Sequence, residues 1–108
     1  MKHISPTELA TWLNTPPEDA APLLLDVREP WEFALCHIEG AINQPMQTVP
    51  QTHAGLDMAR PTVVICHHGM RSYQVGAFLE RAGFDDIYNL TGGVAAWADE
   101  VDPAMARY

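Results

Sequence analysis

Thr62-Val63-Val64-Ile65, introduced by Pro61, is a short β-branched run with no alternation of apolar and polar residues. Such a run fits a strand covered on both faces, in a sheet with layers on either side. Leu23-Leu24-Leu25-Asp26-Val27 reads the same way by length. Ile87, Tyr88 and Leu90 form a further strand, and Ala41-Ile42-Asn43 a brief one.

Helical patterns lie between these runs. Ser5-Pro6-Thr7-Glu8 supplies an N-cap serine, a proline at the first helical position and a glutamate placed to close a capping box; Leu9, Trp12 and Leu13 follow at helical spacing. Pro30 starts a short helix over Trp31 to Cys36. Val75, Phe78, Leu79 and Ala82 trace one helical face stopped by Gly83, and Gly92-Gly93 turns into a last helix over Val94 to Asp99. Asn14 to Pro22 reads as a loop, and Gln44 to Arg60 carries only a weak helical pattern around Thr48 to Met58. Trp12, Trp31, Trp97 and Phe78 are expected in or beside the core. Strands alternating with helices predict an α/β fold, a mostly parallel sheet with helices on both faces.

A chain of 108 residues fits one domain, 1–108, with one core and one site. Fourteen acidic residues against six lysines and arginines give a net charge of -8, which argues against nucleic acid or an anionic membrane as partner. No apolar run reaches membrane-spanning length, and the N-terminal residues lack the apolar core of a secretory signal, so a cytoplasmic protein is expected, and a monomer is the simplest expectation for a compact domain of this type. Two cysteines, Cys36 and Cys66, are too few for a disulfide scaffold and leave a free reactive thiol tenable.

Cys66 ends the Thr62–Ile65 run, and His67-His68-Gly69-Met70-Arg71-Ser72 leads from it into a helix. In open sheets of this kind ligands gather beyond the C-terminal ends of the strands. A turn there aims successive N–H groups and a helix's positive end at a thiolate or an anionic substrate. Gly69 has the backbone freedom to curl the loop. Arg71, the loop's fixed cation, is expected to offer donors to a sulfonate or a persulfide. An accessible Cys66 would act as a covalent nucleophile.

Asp26-Val27-Arg28-Glu29, His37-Ile38-Glu39-Gly40-Ala41, the Cys66 loop, and Asn89-Leu90-Thr91-Gly92-Gly93 through Trp97 occur in this order. In that order they resemble a rhodanese domain, over nearly the whole length from about Ser5 to about Trp97. The resemblance implies a rhodanese-like three-layer sandwich with a five-stranded, mostly parallel sheet. It also implies a sulfurtransferase that needs no cofactor and moves sulfane sulfur from a small-molecule donor, thiosulfate or a persulfide, to cyanide, a thiol or a protein through a Cys66 persulfide. His67, His68, Gly69, Met70, Arg71 and Ser72 would line the substrate pocket.

Two other readings stand beside this one. Cysteine phosphatases also follow the cysteine with an anion-binding loop ending in arginine, but their arginine comes one position later than Arg71, and histidine precedes their cysteine where this chain has Ile65. Non-catalytic rhodanese-like modules serve regulation or protein binding and often lack the cysteine. The pairs His67-His68 and Cys36-His37 lack the ligand spacing of a zinc site, so no metal is expected. His67 and His68 shape the pocket rim or are simply solvated, and His37 is expected to be a hydrogen-bonded structural residue. Asp26 and Arg28 are expected to form a loop-stabilising ion pair, and Cys36 to pair or not with Cys66 according to a separation the sequence does not give.

Overall fold

The computed structural model describes residues 1–15 and 21–108; the middle of the loop expected over Asn14 to Pro22 lies outside the described residues. Five strands, β1 (Lys2–Ile4), β2 (Leu23–Asp26), β3 (Ile42–Asn43), β4 (Thr62–Ile65) and β5 (Ile87–Leu90), form one sheet in the order β1-β5-β4-β2-β3. Every pairing is parallel, with Leu25 opposite Val64 and Val64 opposite Asn89. β4 is therefore central, and all four of its residues are buried, as a run without alternation requires.

Successive strand residues point to opposite faces and seed two apolar clusters. Leu24, Val63, Ile65 and Leu90 meet Leu9 of α1 (Pro6–Leu13) and Val94 and Trp97 of α5 (Gly93–Glu100). Leu25, Val64 and Ile87 meet Val49 of α3 (Val49–Thr52) and Val75 and Leu79 of α4 (Met70–Arg81). The remaining helix, α2 (Pro30–Leu35), ends at Cys36, which joins the first cluster. This is the α/β sandwich expected. The Ser5–Glu8 capping box is present, with Ser5 Oγ accepting from the Glu8 amide and Glu8 Oε1 from the Ser5 amide.

Two expectations are corrected. Lys2–Ile4, given no structure from the sequence, is an edge strand: it pairs with β5, and its one buried residue is Ile4. Trp31 is 60 % exposed rather than semi-core. The buried residue of its six-residue helix is the neighbouring Glu32, which turns the indole outward against the edge of Tyr108.

Candidate active site

Cys66 follows β4 at the C-terminal edge of the sheet, and three elements fix the loop after it. Gly69 caps α4 with φ 103°, a left-handed conformation that favours glycine. This turns the Gly69 N–H onto Cys66 Sγ at 3.0 Å. From β5, Asn89 donates through Nδ2 to the Gly69 carbonyl at 3.2 Å and accepts through Oδ1 from the Ser72 hydroxyl. Ser72 Oγ lies 3.3 Å from the sulfur. From the other side, the first turn of α5 binds the outward carbonyls: Val94 N–H donates to Cys66 O and Ala95 N–H to His67 O. Gly93 permits this approach, since a Cβ there would stand 2.3 Å from Cys66 O and 2.4 Å from His67 O.

The sulfur is covered. Cys66 is 1 % exposed, where the sequence reading expects an accessible thiol, because the loop that supplies its polar contacts also closes over it. Among the described residues those contacts come from Gly69 and Ser72, a narrower set than the row of amides from His67 to Ser72 that the sequence suggests. Met70, 73 % exposed, turns its side chain to solvent. His67 stacks between His68, at 3.9 Å, and the Tyr108 ring, at 4.0 Å. Burial, followed by the neighbouring His68, pushes the His67 pKa below its ordinary value and leaves a neutral ring at pH 7.

Arg71 is not a free cation. Its Nη1 and Nη2 donate to Glu32 Oε1 and Oε2 at 2.7 and 2.9 Å, a bidentate pair with a carboxylate whose side chain is only 5 % exposed. Glu32 also accepts from the Glu29 amide and the Tyr108 hydroxyl. The Arg71 fork above all holds its pKa down at about 2. The site therefore pairs its loop cation with an acid from a helix far away in sequence, which a reading of the loop alone does not reveal.

Behind it lies the second ion pair. Arg28 and Asp26 are both fully buried, with Nη2 to Oδ2 at 2.7 Å and Nε to both carboxylate oxygens at 3.0 and 3.1 Å. Arg28 also donates to Cys36 O and to the Tyr108 hydroxyl, so a chain of bonds runs from Arg28 through Tyr108 and Glu32 to Arg71. Asn43 pins the same strand end through Asp26 O and Arg28 O. The pair is structural, as expected. So is His37, stacked on Phe33 and bonded through Nδ1 to its carbonyl. Cys36 and Cys66 are both free thiols.

Asn89, Glu32 and Tyr108 are the site-building residues that the sequence reading missed. Asn89 lies within a motif that it quoted, and Glu32 sits at the third helical position after Glu29, a capping arrangement visible in sequence. Tyr108 carries no signal. Among the described residues, no group of three or more histidine, cysteine or acidic side chains could hold a metal ion, and no helix is long and apolar enough to cross a membrane.

The architecture is a parallel α/β sandwich with a cysteine at the C-terminal end of its central strand. Residues 5–100 match the rhodanese-like domain family, and the chain belongs to it. It is 35 % identical over 96 residues to the thiosulfate sulfurtransferase GlpE of Shewanella oneidensis, covering 89 % of this chain and 91 % of the relative. It is 37 % identical over 107 residues to the probable adenylyltransferase/sulfurtransferase MoeZ of Mycobacterium tuberculosis, covering 97 % of this chain and 26 % of MoeZ, so it spans about a quarter of that protein. Among solved structures, a rhodanese-like domain protein from Staphylococcus aureus superposes with a TM-score of 0.81 at 33 % identity, over 94 % of this chain and 95 % of the other.

Proposed function

We propose that residues 1–108 act as one sulfurtransferase domain in which Cys66 carries sulfane sulfur as a persulfide. The Cys66 thiolate attacks the outer sulfur of a donor, the donor's S–S bond breaks, and the leaving group departs with the bonding pair. With thiosulfate the leaving group is sulfite. A thiophilic acceptor such as cyanide, a thiol or a protein cysteine then takes the outer sulfur and restores the thiolate. One observation carries the reading: the Gly69 N–H donates to Cys66 Sγ at 3.0 Å, in a loop whose Cys66 and His67 carbonyls are bound away by α5. A fixed donor at the reacting atom stabilises negative charge on sulfur without a cofactor. Within this scheme His67, His68, Met70 and Arg71 form the rim, Gly69 and Ser72 contact the sulfur, and the relatives' sulfurtransferase names support the reaction class.

The burial of Cys66 favours a second reading, an interaction module whose cysteine is inert. Intact mass measurement after incubation with thiosulfate separates the two. The sulfurtransferase gains one sulfur atom that cyanide removes, and Cys66→Ala gains none while keeping its circular dichroism spectrum. A wild-type protein that gains no sulfur from thiosulfate or from a hydropersulfide is an interaction module.

A further inference from the structure

Arg71 stands beside Cys66 in the same loop, and Arg28 is linked to it through Tyr108 and Glu32; both guanidinium groups are paired with carboxylates. Arg28 is fully buried against Asp26. Arg71, within electrostatic reach of Cys66, has both Nη atoms on Glu32. His67, stacked between two rings, is neutral at pH 7. The chain around them carries a net charge of -8. The further arginine beside the loop, Arg107, lines a cavity with His67 and His68 and is paired with Asp99, so Arg28, Arg71 and Arg107 all have carboxylate partners.

This matters because sulfur donors differ in charge. Loading from thiosulfate brings a dianion to a thiolate: Cys66–S⁻ and S–SO₃²⁻ become Cys66–S–S⁻ and SO₃²⁻, with three negative charges held together throughout. A hydropersulfide donor is at most a monoanion and reacts through its protonated form: Cys66–S⁻ and R–S–SH become Cys66–S–S⁻ and R–SH, with the proton leaving on the departing thiol and one negative charge in the reacting pair. A loop whose cation is cancelled penalises the dianion more than a donor of lower charge.

We propose that Glu32 is a specificity-determining residue: by clamping Arg71 it cancels the cation of the Cys66 loop and selects hydropersulfide donors over thiosulfate. The inference rests on the sulfurtransferase reading above. Glu32 touches no donor and acts through Arg71, so it is a positioning residue. Glutamine at this position keeps one carbonyl oxygen for the Glu29 amide and Arg71 Nη1. Its amide nitrogen then faces Arg71 Nη2, donor against donor, and leaves the guanidinium charge of the Cys66 loop uncancelled.

The test is the rate of sulfur loading onto Cys66, followed by intact mass, with thiosulfate and with cysteine hydropersulfide as separate donors. Freeing a unit of charge at pocket range is worth about tenfold against a dianion under surface-type screening, so Glu32→Gln raises the thiosulfate-to-hydropersulfide rate ratio by about that factor. Arg71→Gln, which leaves Glu32 uncancelled, lowers the ratio by a similar factor. The double variant Glu32→Gln/Arg71→Gln restores cancellation and returns the ratio to within about threefold of wild type, a result that a purely structural role for the pair would not give. A ratio unmoved in folded Glu32→Gln overturns the proposal, as does one unmoved or raised in Arg71→Gln should the first variant fail to fold. Wild-type protein unloaded by both donors would instead sink the sulfurtransferase reading.

Discussion

Replacing Asp26 with alanine strands a guanidinium that has no exposure to water. The carboxylate receives the Arg28 backbone N–H at 3.0 Å, Nε at 3.0 and 3.1 Å and Nη2 at 2.7 Å. After its removal, Arg28 keeps Cys36 O at 2.6 Å and the Tyr108 hydroxyl at 2.8 Å, both neutral. Removing one partner of a buried pair costs about 3–5 kcal/mol, and the surviving neutral contacts place this case near the lower end. Against a typical domain stability of about 5–15 kcal/mol that is a large share. With a urea m-value of about 1–3 kcal/mol/M, the unfolding midpoint should fall by roughly 1.5 M. Urea titration followed by tryptophan fluorescence at pH 7 reads it directly. Asp26→Ala/Arg28→Met removes both charges and should recover part of the loss, because the cost comes from the stranded cation and not from the missing attraction. A single variant with a midpoint within about 0.5 M of wild type, or a double variant less stable than the single, refutes the reasoning.

Gly93→Ala places a methyl 2.3 Å from Cys66 O at a φ of 60°, so it should destabilise the domain by at least ~2 kcal/mol and abolish sulfur loading, both measurable on one preparation. His67, its pKa lowered by burial, should titrate below 6.5 in ring-proton NMR, and Tyr108→Ala, which uncovers the ring, should move that value upward. The sign for stability follows: the unfolded chain takes up this proton first, so the contribution of neutral His67 is present above pH 6.5 and is lost as pH falls through the folded value. Unfolding midpoints measured across that range should lose part of their slope in Tyr108→Ala.

The interior of this fold was legible because its strands are short and apolar. Thr62–Ile65 is buried throughout and Leu23–Asp26 at all but Leu23, so a short run without alternation was enough to read each as a buried strand. Lys2–Ile4 was not legible. An edge strand of three residues with one buried side chain has too little apolar pattern, and its pairing with β5 spans most of the chain. At the site, Cys66 and Gly69 were readable because each acts within a few residues of itself, through a strand end and a left-handed turn. Arg71 was read as a free cation because its partner, Glu32, lies 39 residues earlier and meets it only once α2 and α4 have docked. Asn89 was visible as part of a motif but not as the clamp on Gly69 and Ser72.

The hold of α5 on the carbonyls of Cys66 and His67 has a consequence for synthesis on the ribosome, where chains emerge N-terminus first. Until Gly92 through Ala95 have cleared the exit tunnel, the peptide after β4 lacks the two amides that turn its carbonyls outward, and the cysteine is an unmoulded side chain. The loop around Cys66 therefore takes its final shape only as α5 seats, after every other element of the sheet has emerged.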